Sequence, residues 1–201
     1  ISDGFDTLLA APGLMTFYHT LFIAFSALIV GMGIHKGIES GLRIMMPALF
    51  VILLVVLAYG VINGDVGAAA SFLFTFNIAD LSLEGWLQAM GQSFFTLSLG
   101  MGAIMAYGAY MPSDVSLTRT AFAVAIVDTA VAMVAGLAIF ALVFGAGLET
   151  GQGPGLMFVT LPLAFAEMPF GALVGGVFFI LVLGAAISSS ISLIEPVAAF
   201  L

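Results

Sequence analysis

The chain has 201 residues, of which 63% are hydrophobic and 7% charged, and its formal net charge is −8. Soluble domains carry roughly 45–50% apolar and about 25% charged residues, so this composition excludes an ordinary soluble protein and indicates one that crosses a lipid bilayer several times. Three basic residues argue against nucleic-acid binding, and the absence of cysteine excludes disulfides and thiol chemistry.

Five apolar runs are long enough to cross a bilayer, which takes about 20 residues of helix. We therefore predict an all-α membrane protein with one domain over residues 1–201. The loop between the second and third runs is expected to include a short surface helix. The predicted spans are about residues 14–33, 44–62, 87–111, 120–145 and 170–201.

The start of the second span contains Gly37 and Pro47, separated by nine residues. Pro47 is expected in the first turn of this helix, where proline is tolerated. Glycine lowers helix stability and proline removes a backbone donor, so this end is able to unwind. Both residues are also ordinary at a helix start, which leaves a purely structural role open.

The third span carries Thr96, Ser98, Gly100 and Gly102 at its middle. Hydroxyl residues and glycines are poor helix formers, so we predict a helix that breaks at membrane depth. Unwound backbone survives there only where protein or a water-filled cavity shields it from lipid, and many transporters build their binding sites in this way.

Large apolar side chains flank this predicted break, at Phe94, Phe95 and Met101. Beside an opened backbone they suit a substrate with a charged head and an apolar tail. The alternative is that they face lipid or pack in the core, as most membrane phenylalanines do.

Asp128 is the most informative acid, because it follows Arg119 by nine positions. That separation is roughly 13 Å along a helix, close to the middle of a hydrocarbon core about 30 Å thick. A carboxylate there costs on the order of 3 kcal/mol, and no basic residue lies in any predicted span to pair with it. A bound cation or a proton is the natural partner; the alternative is a neutral acid hydrogen-bonded to a neighbouring helix.

The loop over residues 147–169 mixes glycine, proline and large apolar residues. That mixture predicts a packed, re-entrant or lid-like loop on the outer side. An ordinary surface connector is the alternative.

The fifth span places Ala185, Ser188 and Ser192 on one helix face, which Glu195 extends, with Ser189 at its edge. Small and hydroxyl residues along one face often mean only close helix packing. Hydroxyls and carbonyls are also good ligands for a hard cation such as sodium. The serines by themselves favour packing over a sodium site.

Basic residues are confined to two loops, with Lys36 and Arg43 between spans one and two and Arg119 between spans three and four. The other two loops contain acids but no Lys or Arg. By the positive-inside rule, the side that carries the three basic residues is cytoplasmic.

An enzyme is not indicated. The sequence has no Gly-x-Ser-x-Gly motif and no phosphate-binding loop, and His19 is the only histidine within a predicted span.

The run Gly91–Tyr110 closely resembles the sixth transmembrane helix of the neurotransmitter:sodium symporter family, bacterial branch. Four further segments match in family order: residues 35–47 (the loop between helices four and five), 128–140 (helix seven), 153–162 (the fourth outer loop) and 188–196 (helix eight). The resemblance implies helices four to eight of a twelve-helix-type transporter with a five-plus-five inverted repeat. It also implies sodium-coupled amino-acid symport by alternating access, in the bacterial inner membrane.

The resemblance further implies two sodium sites, a substrate pocket and two gates. Ligands of the first sodium site are matched by Thr96 and Asp128, and those of the second by the Ala185 carbonyl, Ser188 and Ser189. The substrate pocket is matched by Phe95, Thr96, Ser98, Met101, Ser189 and Leu193. The outer gate is matched by Gln92, the braces of the inner gate by Tyr107 and Tyr110, and the unwinding motif by Gly37 and Pro47.

Two departures from the family pattern refine this expectation. Asp128 stands where many members have asparagine, and Ala132 replaces a serine or glutamate, so we predict that Asp128 supplies the negative charge that chloride gives elsewhere. Met101 stands where phenylalanine is frequent, and its flexible thioether predicts a large apolar or aromatic amino acid as substrate.

The sequence begins at Ile1 and ends at Leu201 inside an apolar run. We therefore expect an internal piece of a longer transporter, whose missing helices complete both ion sites. The alternative is a truncated fragment that does not transport, or a half-transporter that depends on a partner.

Overall fold

The computed structural model describes residues 2–32, 40–75, 82–151 and 153–200. Within these ranges the regular structure is helical and no strand occurs, which confirms the predicted all-α class. In chain order the helices are α1 (Ser2–Leu9), α2 (Pro12–Gly31), α3 (Ser40–Asn63), α4 (Val66–Phe74), α5 (Leu83–Thr96), α6 (Ala103–Ala109), α7 (Leu117–Gly145), α8 (Gly153–Gly155), α9 (Leu161–Glu167) and α10 (Gly171–Phe200), with a π-helical turn at Leu156–Thr160 before α9.

Four helices in the described ranges, α2, α3, α7 and α10, are long and apolar enough to cross a membrane. The region of the third predicted span is divided between α5, with 14 residues, and α6, with seven. Neither piece crosses a bilayer alone, since a spanning helix takes about 20 residues. The helix predicted between the second and third spans is present as α4.

Pro47 lies inside α3 and not in its first turn, so that expectation is wrong. The helix begins at Ser40, because the polar turn before Ile44 is helical as well. The proline nitrogen has no hydrogen to donate to the carbonyl four residues earlier, that of Arg43. The first two turns of α3 therefore lack one bond of the helical ladder.

Close backbone contacts show that α3 and α7 run in the same direction. A Cβ atom placed on Gly60 would lie 3.2 Å from the Ala138 carbonyl oxygen. A Cβ atom placed on Gly64 would overlap the Ala141 carbonyl oxygen. The amide of Asp65 donates to the same Ala141 carbonyl at 2.9 Å. The two helices thus end together, and their starting ends also lie at one end of the bundle.

The last helix, α10, runs opposite to α3 and alongside α2. Near its start the Tyr59 hydroxyl donates to the Pro169 carbonyl at 2.5 Å, and Gly184 packs on the Leu49 side chain. Towards its end Ile191 packs with Val30, at the end of α2. This arrangement places the end of α2, the start of α3 and the end of α10 on the same side.

The larger buried apolar cluster lies at the other side, where α3 and α7 end and α10 begins. It joins four elements, and its members are Val56, Ala138, Leu142, Val143, Leu161, Phe165, Val174 and Phe178. A smaller cluster is centred on Val30 and Ile191. Packing in the described chain is therefore densest at the end away from Arg43 and Arg119.

Residues 153–167, between α7 and α10, are helical and packed against the bundle. Leu161 and Ala164 are fully buried, and Phe165 packs beside Phe178 with ring centroids 5.7 Å apart. In the π-helical turn, Phe158 stacks between the rings of Phe5 and Phe179. The segment is thus an ordered cap over one end of the bundle and not an extended connector.

Candidate functional site

The break between α5 and α6 is built by residues in the left-handed backbone region. Ser98, Gly100 and Gly102 have φ values of 53°, 82° and 86°. The Ser98 amide donates to Phe95 and the Leu99 amide to Phe94, a Schellman pattern that ends α5 with Ser98 in the left-handed position. Glycine takes such values without a Cβ penalty, so the two glycines explain why the helix is interrupted here and α6 starts afresh.

Thr96, the last residue of α5, contacts Asp128 on α7. Its hydroxyl donates to the carboxylate, with Oγ1 lying 3.0 Å from Oδ1 and 3.3 Å from Oδ2. Oxygen atoms that lie this close can contact one cation, since a cation such as Ca²⁺ sits about 2.3–2.6 Å from its oxygen ligands. The two predicted ligands of the first sodium site are therefore brought together.

The predicted oxygens on α10 also come together, within one turn. The Ser188 hydroxyl donates to the Ala185 carbonyl at 2.8 Å, and Ser188 is 8% exposed. Ser189 is the next residue and is exposed. A hydroxyl and a carbonyl of this geometry can both contact one cation, and neutral oxygens suit a monovalent ion.

The two predicted gate tyrosines, Tyr107 in α6 and Tyr110 directly after it, both contact α10. The Tyr107 hydroxyl lies 2.8 Å from the Ser192 hydroxyl, and the Tyr110 hydroxyl donates to Glu195 Oε1 at 3.0 Å. Glu195 is only 4% exposed. The sequence placed Ser192 and Glu195 on one face of the helix but assigned them no partner. Their pairing across 85 positions depends on how α6 crosses α10.

The other residues predicted for the substrate pocket and the gates are mostly exposed, and they do not form an enclosed pocket within the described chain. Phe95, Met101 and Leu193 are 72%, 43% and 48% exposed, so this chain alone does not enclose them. Gln92 is also exposed, whereas Ser98 is half-buried. Gly37 lies outside the described residues, and Pro47 is in α3.

An apolar cavity of about 590 Å³ lies between the break, α6 and the start of α7. Thr96 and Asp128 are not part of its wall, although the cavity adjoins the break that follows Thr96. Its wall is formed by Leu97, Leu99, Ile104, Tyr107, Gly108, Met111, Leu117, Thr120, Ala121 and Val124.

The profile of the Sodium:neurotransmitter symporter family matches residues 4–201. The chain belongs to this family. An uncharacterised sodium-dependent transporter of Bacillus subtilis is 38% identical over 180 residues, covering 89% of this chain and 40% of that protein. An uncharacterised sodium-dependent transporter of Methanocaldococcus jannaschii is 36% identical, covering 84% and 36%. The creatine transporter of Torpedo marmorata is 30% identical, covering 82% and 29%.

These similarities confirm the predicted family, which is one of transporters and not of enzymes. The family description and the names of the two prokaryotic relatives both specify sodium, which confirms the predicted ion. The chain spans 29–40% of the length of the three relatives described. Its membership together with its long apolar helices makes it part of a multi-pass membrane protein.

Proposed function

We propose that this chain is part of a sodium-coupled symporter that carries an amino acid by alternating access. The observation that carries the proposal is the contact of Thr96 with Asp128, 3.0 and 3.3 Å from hydroxyl to carboxylate, beside a broken helix. It joins a hydroxyl to a carboxylate at a point where the chain has interrupted its helical hydrogen bonds. The family match supports sodium as the ion.

Asp128 and Thr96 form half of a first sodium site. The carboxylate supplies the negative charge, and the threonine hydroxyl donates to it while keeping lone pairs for the ion. The Ala185 carbonyl with the Ser188 and Ser189 hydroxyls forms half of a second site from neutral oxygens. Helices of the longer transporter that are absent from this chain supply the remaining ligands.

The substrate lies against the break. Backbone groups of the break around Ser98, with the hydroxyls of Thr96 and Ser189, hold its polar head. Phe95, Met101 and Leu193 offer exposed apolar surface for its side chain. The flexible thioether of methionine adapts to bulky groups, which favours a large apolar or aromatic amino acid.

Transport is independent of chloride. Asp128 is a fixed negative charge beside the Thr96 hydroxyl, and Ala132, one helical turn later, has no hydroxyl with which to bind an anion. A site that already holds a carboxylate repels a second anion. The charge balance that chloride provides in chloride-dependent relatives is thus provided by the chain itself.

The chain supplies five of the membrane crossings of a five-plus-five inverted repeat in the bacterial inner membrane. The broken helix α5–α6 counts as one crossing, and the loops with Lys36, Arg43 and Arg119 face the cytoplasm. The cap from α8 to α9 closes over the pocket from outside, with Gln92 at the outer gate. Tyr107 and Tyr110 brace the inner gate, and α3 loosens between Gly37 and Pro47 to release the second sodium.

Uptake into proteoliposomes tests this function on the complete transporter that contains the chain. An inward sodium gradient should drive accumulation of radiolabelled leucine, phenylalanine or tryptophan, and replacement of chloride by gluconate should leave the rate unchanged. Competition by a panel of amino acids should favour large apolar ones. Uptake that ignores sodium refutes the symport proposal; loss of uptake in gluconate refutes only chloride independence; displacement by glycine or charged amino acids alone refutes the substrate class.

The alternative proposal is a fragment that does not transport, or a half-transporter that works only with a partner. Sequencing the DNA on either side of the coding region separates these cases. An upstream reading frame with an Asn- and Gly-bearing broken helix supports the complete transporter, and a stop codon there supports the fragment.

A further inference from the structure

A row of hydroxyl groups leads from α6 to the oxygens proposed for the second sodium site. The Tyr107 hydroxyl lies 2.8 Å from that of Ser192, and the Ser192 hydroxyl donates to the Ser188 carbonyl at 3.0 Å. The Ser188 hydroxyl in turn donates to the Ala185 carbonyl at 2.8 Å. A serine hydroxyl has one hydrogen, and that of Ser192 is directed at Ser188, so Tyr107 is the donor in its contact with Ser192.

The position of α6 depends on such contacts. It has only seven residues, and a helix of that length is not stable by itself. Against α10 it is held at three points: Gly102 beside Pro196, Tyr107 at Ser192 and Tyr110 at Glu195. Of these, the Tyr107 contact alone continues through hydrogen bonds to Ser188.

We propose that Tyr107 is a positioning residue for the second sodium site, an inference that rests on the proposed function. Its hydroxyl orients the Ser192 hydroxyl, whose bond to the Ser188 carbonyl sets the geometry of that turn of α10. The Ser188 hydroxyl and the Ala185 carbonyl are thereby kept facing one point. By linkage, sodium at these oxygens and the seating of α6 on α10 stabilise each other.

Substitutions that remove single hydroxyls test the proposal, with ²²Na binding to the purified complete transporter as the measurement. Tyr107→Phe deletes only the phenolic oxygen and should weaken sodium binding about three- to tenfold, the range expected for one hydrogen bond. Ser192→Ala should weaken it by the same factor and provides a second test if Tyr107→Phe fails to fold. The double variant should bind sodium no more weakly than either single one, because both remove one link. Ser192→Thr keeps a hydroxyl and should bind sodium as wild type does.

Tyr59→Phe is the matched control. It also removes a tyrosine hydroxyl that bonds another part of the bundle, the Pro169 carbonyl, but at the opposite end. It should lower the melting temperature as Tyr107→Phe does while leaving sodium affinity unchanged. Equal weakening of sodium binding by Tyr59→Phe would show that loss of any such tyrosine bond loosens the helix bundle, and it would overturn the proposal.

Ser188→Ala separates this inference from the function on which it rests. If the wild type binds no sodium, or if Ser188→Ala leaves binding unchanged, the second sodium site is wrong and the role of Tyr107 falls with it. If Ser188→Ala weakens sodium binding while Tyr107→Phe and Ser192→Ala bind as wild type does, only the role of Tyr107 is wrong.

Discussion

Asp128 is the residue on which the candidate ion site depends, because it alone of the proposed ligands carries a charge. It lies on α7 with its carboxylate within 3.3 Å of the Thr96 hydroxyl. That contact satisfies part of the carboxylate but leaves its charge uncompensated. At the proposed site a sodium ion would balance this charge, and neutral oxygens alone would hold the ion more weakly.

Asp128→Asn removes the charge while preserving shape and one oxygen. We expect sodium affinity to fall about 10- to 100-fold, since interactions with a charged group are worth about 1.5–3 kcal/mol. Half-maximal sodium for uptake into proteoliposomes measures the shift. Thr96→Ser, which retains a hydroxyl at the same place, is the matched control and should change affinity little. Wild-type sodium dependence in the Asp128→Asn variant would show that the charge is not part of the site.

The broken helix α5–α6 is the element that carries the candidate site. Its position was predictable, because hydroxyl residues and two glycines interrupt an otherwise apolar run. The pairing of Thr96 with Asp128 was predictable only through the family resemblance. Helix propensity predicts where a helix is interrupted, but it does not predict which neighbouring helix packs against the interruption.

Two features of the elements were beyond sequence reasoning. Hydrophobicity predicted that the second span begins at Ile44. The helix α3 begins earlier, at Ser40, so Pro47 lies inside it. The partners of Tyr107 and Tyr110 depend on the angle at which α6 crosses α10. The available signal for a partner was an acid, Glu195, on the hydroxyl face of an apolar helix; the structure buries it, and a buried acid requires a hydrogen bond.

Gly100→Ala tests whether the break is held by left-handed backbone. A Cβ atom on Gly100 would meet nothing within 4 Å, so space is not the obstacle, but φ is +82°. We expect the alanine to cost about 1–2 kcal/mol and to lower the melting temperature in detergent. Gly91→Ala, at an equally open position inside α5, should instead be neutral or stabilise by up to about 1 kcal/mol. Equal melting temperatures for the two variants would indicate that the strained turn contributes nothing to stability.

The described part of the chain is packed unevenly along its length. The larger core joins the ends of α3 and α7, the start of α10 and the cap helix α9, whereas the other end is held by a small cluster and the contacts of α6. Alternating access requires one part of the molecule to stay rigid while another opens. The dense end suits the rigid role, and the sparse end, with Pro47 and the hydroxyl contacts of Tyr107, suits the moving one.

The backbones of α3 and α7 approach each other closely at the dense end. A Cβ atom on Gly64 would overlap the Ala141 carbonyl oxygen and lie 2.6 Å from that of Gly60, so Gly64→Ala must push the two backbones apart. Overpacking of this kind costs about 1–3 kcal/mol. We expect a lower melting temperature and faster hydrogen exchange throughout the ends of α3 and α7. Gly176→Ala, on α10 with nothing within 4 Å, controls for a glycine-to-alanine change in a long helix and should not destabilise. If the Gly64→Ala variant has the same melting temperature and hydrogen-exchange rates as the Gly176→Ala variant, α3 and α7 are not held in close contact. The rigid part of the bundle would then not be at this end.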